Sequence, residues 1–176
     1  MALDLKTYIN AIGSSLDAAL CLSDFPSEIV EKDNKPEVEL FGYMSKTKPL
    51  VNQPIYIARS VKEKCLIESS INSCRISFAI KQNDELDKLI GERFSRYITS
   101  RADQFEILRR IPLKGYDVTF LISSSHLEKY DKAQLISYIT DFIQDIEKYM
   151  TEIKLNIVFQ TRKAAKQFVQ QMSDNQ

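Results

Sequence analysis

The only histidine follows directly on three serines, Ser123-Ser124-Ser125-His126. A hydroxyl beside an imidazole invites a nucleophile–base reading. Such a pair works only when the fold orients base against nucleophile, and adjacency in sequence does not do that. Serines that follow a strand more often form a turn and the N-cap of a helix, which is the reading adopted for this stretch. The carboxylate pairs Asp84/Glu85 and Asp145/Glu147 fall on the exposed faces of predicted helices, with no metal-ligand spacing around them. Cys21, Cys65 and Cys74 are odd in number and contain no Cys-x-x-Cys pair. With a single histidine they build neither a disulfide framework nor a zinc knuckle, so they read as reduced, mostly buried side chains. The four glycines, Gly13, Gly42, Gly91 and Gly115, are isolated from one another, which leaves no phosphate-binding loop. No catalytic residue, metal or cofactor is expected, and the chain does not read as an enzyme.

Basic clusters carry more information. Arg109-Arg110 ends a predicted strand, with Lys114 in the turn that follows. Adjacent residues of a strand point to opposite faces, so at least one of these arginines needs a partner. From Ile153 to Ser173 the chain carries Lys154, Arg162, Lys163 and Lys166 and no acid, whereas Asp141, Asp145, Glu147 and Glu152 precede it. Cations near a helix C-terminus also suit the helix dipole. Base stacking requires exposed aromatics among the charges, and here the aromatics fall on predicted buried stripes. An acidic protein surface fits these clusters better than nucleic acid.

The elements that position these groups follow from periodicity. Leu5, Tyr8, Ile9, Ile12, Leu16, Ala19 and Leu20 form one stripe of a helix over residues 3–20. Residues 21–36, interrupted by Pro26 and Pro36, read as a connection. Strands are predicted at Glu37–Phe41, Ile55–Ala58, Cys65–Glu68 and Cys74–Ile80, the last with Cys74, Ile76, Phe78 and Ile80 on one face. Asn83 or Asp84 caps a second helix with Leu86, Leu89, Ile90, Phe94, Tyr97 and Ile98 inward. Phe105–Ile111, the Pro112–Gly115 turn and Tyr116–Ile122 read as a hairpin. Short connections favour antiparallel neighbours.

A long C-terminal helix, about residues 127–172, completes the chain. Leu135, Ile139, Phe142, Ile146, Tyr149 and Ile153 recur at heptad spacing, and no proline or glycine lies between Asp131 and Met172. A run of about 40 residues spans roughly 60 Å, about twice the width of a small domain. Such a helix bends near Leu155–Phe159 or projects to meet a partner, which makes the heptad stripe a candidate subunit interface.

The whole, residues 1–176, reads as one α+β domain: an antiparallel sheet covered by helices, with a long C-terminal helix. The 24 basic and 24 acidic residues cancel, which removes any global attraction to nucleic acid or acidic lipid. No run of 18 apolar residues provides a membrane span, and Met1–Lys6 lacks the features of a signal peptide, so a cytoplasmic protein is expected.

Several strings occur collinearly: Cys21-Leu22-Ser23-Asp24-Phe25 leading to Asn34-Lys35-Pro36-Glu37-Val38-Glu39, then Lys62–Glu68, Ser70–Ser73, Ile107–Arg110 and Gly115-Tyr116-Asp117. Their order and spacing resemble the subunit-4 family of the actin-related protein 2/3 complex, from Leu5 to Phe168. The Phe41–Gln53 loop, with Tyr43-Met44 and Lys46–Lys48, departs from that family's pattern. The resemblance implies a non-catalytic scaffold in the actin cytoskeleton. Its long helix would lie against the counterpart helix of subunit 2, beside the other subunits of the complex. The pair would contact the side of the mother actin filament in branched nucleation. On that resemblance Arg109 and Arg110 are the first candidates for the filament face, with Arg162, Lys163 and Lys166 behind them. A free-standing homodimeric adaptor or chaperone-like domain is the competing reading of the same helix–sheet order.

Overall fold

Asp4 starts the first helix, α1 (Leu5–Ala19), by accepting hydrogen bonds from the Thr7 backbone N–H at 2.9 Å and the Thr7 hydroxyl at 2.7 Å. Tyr8, Ile9, Ile12 and Leu16 form its buried stripe, as their spacing predicts. The computed structural model describes residues 3–22, 36–41 and 52–174. The predicted connection over 21–36 and the Phe41–Gln53 loop lie largely outside them.

Four strands, β1 (Ile55–Ala58), β2 (Lys64–Ser69), β3 (Ser73–Ala79) and β4 (Val118–Ser123), form an antiparallel sheet in chain order. The register sets Ile57 beside Cys65, Cys65 beside Phe78 and Phe78 beside Val118; one row further, Ile67, Ile76 and Phe120 line up. That face is buried against α1 and the C-terminal helix. Cys74, Ile76, Phe78 and Ile80 share it, as the alternation of β3 predicts. The opposite face is buried too, but with polar content. Arg75 Nε donates to Glu68 Oε2 at 2.7 Å across the β2–β3 pair, where the two residues are register partners and Glu68 is fully buried. Ser77 and Thr119 hydroxyls pair at 3.0 Å.

Glu37–Phe41 is a short helix, α2, and not a strand. Asn72 Oδ1 accepts the Glu37 N–H at 3.3 Å and Ser73 Oγ accepts the Val38 N–H at 3.2 Å. The β2–β3 turn thus caps this helix from outside, and Val38 is fully buried beneath it.

Asp84 caps α3 (Glu85–Ser100), accepting from the Asp87 N–H at 2.8 Å. Ile90 is buried and Leu86, Phe94 and Ile98 pack on the core, but Leu89 and Tyr97 are about half exposed, against expectation. The predicted strand over Phe105–Ile111 is not one. A 3₁₀ turn at Ala102–Gln104 leads into it, and a single bridge joins Leu108 to Phe120. The Leu108 N–H turns back to the Phe105 carbonyl at 2.8 Å instead of joining a ladder, while Ile107 and Leu108 are both buried. Two hydrogen bonds, Leu121 N–H to Ile107 O and Arg109 N–H to Thr119 O, still hold the segment along β4. The predicted turn follows, with Gly115 at φ 88° supplying the left-handed residue.

Two helices close the chain. The first, α4 (Ser124–Lys129), ends at extended Tyr130, and α5 (Lys132–Asp174) then runs unbroken for 43 residues. The long helix therefore starts later than residue 127. The architecture is the predicted α+β layer, and no helix of the described residues is long and apolar enough to cross a membrane.

Candidate interaction surfaces

The serine–histidine cluster is a helix cap. Ser123 precedes α4, and His126 Nδ1 accepts the Ser123 backbone N–H at 3.0 Å while lying 3.1 Å from its hydroxyl. Burial pulls the imidazole pKa down, which keeps the ring neutral and able to accept. Glu106 stands 4.0 Å from His126 Nε2, but it is bound to Lys129 Nζ at 2.6 Å and lies on the surface. Neither Ser123 nor His126 lines a major cleft among the described residues.

The other chemical candidates are structural as well. Asp84 caps α3 and pairs, together with Asp87, with Lys154 of α5. Glu147 is not a solvated charge, as its helix face suggests. It accepts Arg59 Nη1 at 2.8 Å, and the same guanidinium reaches Glu63 at 3.1 Å. All three cysteines are free; burial pushes the Cys74 thiol up to about 12 and the Cys65 thiol upward too, while Cys21 is exposed. No group of three His, Cys, Asp or Glu that can hold a metal occurs among the described residues.

Arg109 and Arg110 lie together at the surface, where the 105–109 segment leaves the β4 edge. Arg109 pairs with Glu39 of α2 and Arg110 with Asp103 of the 3₁₀ turn. Both side chains stay largely open, at 46% and 68% exposure, so these surface pairs hold them weakly. Ile111, 83% exposed, projects beside them.

The long helix divides in two. Up to Ile153 it belongs to the domain: Leu135, Ile139, Ile146 and Met150 are buried in the core, and Phe142 and Ile153 pack against it. Much of the predicted interface stripe is thus covered by its own chain, because α5 lies across the same sheet face as α1; Tyr149, 47% exposed, is the exception. Beyond Lys154 every side chain through Gln170 is exposed, among them Leu155, Ile157, Val158, Phe159, Phe168 and Val169. The core-facing row Ile146, Met150, Ile153 continues as Ile157, Thr161, Ala164, Phe168 with spacings of 4, 4, 3 and 4 after Ile153. A seam of the kind that buries the first half therefore runs on uncovered. The six-residue gap between Ile157 and Ala164, broken by Thr161, is why the heptad count loses it. Arg162, Lys163 and Lys166 stand about 130–170° around the helix from the centre of this seam, at about 100° per residue. Among the described residues no ion pair joins them to Arg109 or Arg110.

A layered α+β domain with no assembled catalytic group among its described residues, carrying an uncovered apolar seam on a projecting helix, has the build of a subunit that is completed by partners. The comparison with known proteins agrees. The chain belongs to the family described as ARP2/3 complex 20 kDa subunit (ARPC4), whose profile matches residues 1–171. It is 43% identical over 173 residues to the probable actin-related protein 2/3 complex subunit 4 of Caenorhabditis elegans, covering 98% of this chain and 100% of the relative. Actin-related protein 2/3 complex subunit 4 of Dictyostelium discoideum is 42% identical over 162 residues, 92% of this chain and 94% of its own. The Saccharomyces cerevisiae protein of the same name is 39% identical over 169 residues, 96% and 97% of the two chains.

Proposed function

We propose that this chain is a non-catalytic scaffold of the actin-related protein 2/3 complex, in the cytoplasm at the actin cytoskeleton. It pairs with subunit 2 through α5 and offers Arg109 and Arg110 to the side of the mother filament. The observation that carries the reading is the projecting half of α5. Each large apolar side chain there gains about 1.5–3 kcal/mol when fully buried, so a partner on the seam is strongly favoured. The seam and the cationic face of Arg162, Lys163 and Lys166 lie on different sides of the helix. A partner on the seam therefore leaves those cations free for an acidic surface such as a filament.

Co-expression with subunit 2, followed by light scattering after gel filtration, tests the pairing. A one-to-one heterodimer is expected, lost on Ile157→Glu/Phe168→Glu substitution while the circular dichroism of the domain persists. A stable homodimer that ignores subunit 2 overturns the pairing. Arg109→Glu/Arg110→Glu is expected to lower the branching rate with assembly intact, and an unchanged rate removes those residues from the filament face.

A further inference from the structure

A cavity of about 330 Å³ lies where α1, the end of β3, the start of α3 and α5 meet. That is the size of a small-molecule site, roughly 300–1,000 Å³. Its walls are mostly apolar, formed by Phe78, Ile80, Ile143, Ile146 and Met150. Of the projecting half of α5 only Leu155 and Val158 reach its mouth, and Val158 stands about 100° around the helix from Ile157. The cavity therefore opens on another side of α5 than the apolar seam.

Two buried polar groups on its wall are short of partners. Tyr8 is 2% exposed, and its hydroxyl has no hydrogen-bond partner among the described residues. Glu63, in the β1–β2 turn, is 8% exposed. Arg59 Nη1 donates to Glu63 Oε1 at 3.1 Å, and no hydrogen bond reaches Oε2 among the described residues. Burial raises the pKa of the Tyr8 phenol, and the nearby charge of Glu63 adds to it. A buried polar atom without a partner is costly, so each of these oxygens favours a ligand that brings it a donor.

Charge points the same way. Arg59 is shared between Glu63 and Glu147, and Lys154 between Asp84 and Asp87. Lys81, also on the wall, has no ion-pair partner among the described residues. Four carboxylates against these three cations leave one negative charge over. Burial already raises the Glu63 carboxyl, which marks the point where compensation is thinnest. A mostly apolar cavity with a few convergent polar groups, one of them with a shifted pKa, is the build of a binding site.

We infer that this cavity binds a small organic cation, a primary ammonium or amidinium on an apolar body, whose N–H groups donate to Glu63 Oε2 and the Tyr8 hydroxyl while the body lies against Ile143, Met150 and Val158. Such a site is separate from the scaffold role and does not depend on which partner covers the seam.

Titration calorimetry of the purified, reconstituted complex with 4-phenylbutylamine tests this, with 4-phenylbutanol and 4-phenylbutyrate as the neutral and anionic counterparts. The amine is expected to bind saturably, one per complex, and at least tenfold more tightly than either counterpart. Glu63→Gln is expected to weaken it at least tenfold. Thr151→Trp, which fills the mouth from an exposed position outside the core, is expected to do the same and covers the case in which Glu63→Gln disturbs the fold. Glu152→Gln, at an exposed carboxylate of α5 away from the cavity, leaves binding unchanged. Saturable binding that ignores both cavity substitutions, equal or tighter binding of phenylbutyrate, or no saturable binding up to millimolar concentration overturns the site. Binding to the heterodimer with subunit 2 but not to the whole complex assigns the cavity to a side chain of another subunit, and overturns it too.

Discussion

Arg59 ties together three parts of the chain that are far apart in sequence. Its Nε donates to the Leu3 carbonyl at 3.1 Å, and its Nη1 reaches both Glu63 and Glu147. One guanidinium between two carboxylates leaves the deeper of them under-compensated. Burial, helped by the charge of Glu147, raises the Glu63 carboxyl above its ordinary 4.5. A carboxyl whose folded pKa is raised holds its proton more tightly in the folded state. Its contribution to stability is fully present below the unfolded value and is lost as pH rises through the folded one. Glu63→Gln takes that loss away. The difference in urea-unfolding free energy between variant and parent is expected to move in favour of the variant from about pH 4 to about pH 7. A difference that stays constant across the range contradicts the burial account. None of this is visible in the sequence, where Arg59 and Glu63 look like an ordinary surface pair and Glu147 like a solvated helix charge. Lys154 is the same case, since its partners Asp84 and Asp87 come from another helix.

At the scale of elements, α1 and α5 cross where α1 carries Gly13. A methyl group built there meets Thr140 Cγ2 at 3.7 Å and Ile136 Cγ2 at 3.9 Å, ordinary contact distances. Glycine inside a helix costs about 1 kcal/mol relative to alanine. Gly13→Ala is expected to raise the unfolding free energy by up to about 1 kcal/mol, seen as a higher urea midpoint; a lower midpoint means the crossing tolerates no added atom. The helices and strands were legible wherever a period ran long enough to be unambiguous, as in α1, β3 and α5. Glu37–Phe41 is too short for alternation to distinguish strand from helix, and its caps, Asn72 and Ser73, lie some 35 residues on. Phe105–Ile111 has strand composition but closes a turn between Phe105 and Leu108, which composition does not report. On α3, Leu89 and Tyr97 belong to the apolar stripe yet stay about half exposed, lining a cleft against Tyr149 of α5. Periodicity reports that a face is apolar and is silent on which polypeptide covers it.

The whole molecule separates into a folded layer and an arm. Among the described residues the last buried core residue is Met150, and Lys154 makes the last ion pair. A chain ending at Asn156 is therefore expected to keep its near-ultraviolet circular dichroism and to lose less than about 1 kcal/mol of stability, while it no longer associates through the seam. Cooperative unfolding that collapses on truncation contradicts the separation. The family was legible from collinear strings of residues, and the comparisons bear it out. The open seam of α5 was not legible: the heptad stripe, apart from Tyr149, picked mostly residues that the domain itself buries or half-buries. Beyond Ile153 the open seam follows spacings of 4, 4, 3 and 4, which a heptad period does not track.

That arm also has a mechanical side. A rigid rod of 43 residues is about 65 Å long, and Lys154 grips it against Asp84 and Asp87, the N-terminal turn of α3, roughly 30 Å from its far end. A sideways load at the tip turns about that grip as a lever turns about its fulcrum. The torque falls on the cap of α3 and on the sheet beneath the near half of the rod. Whatever is fastened to the tip and whatever is fastened to the sheet must then tilt together.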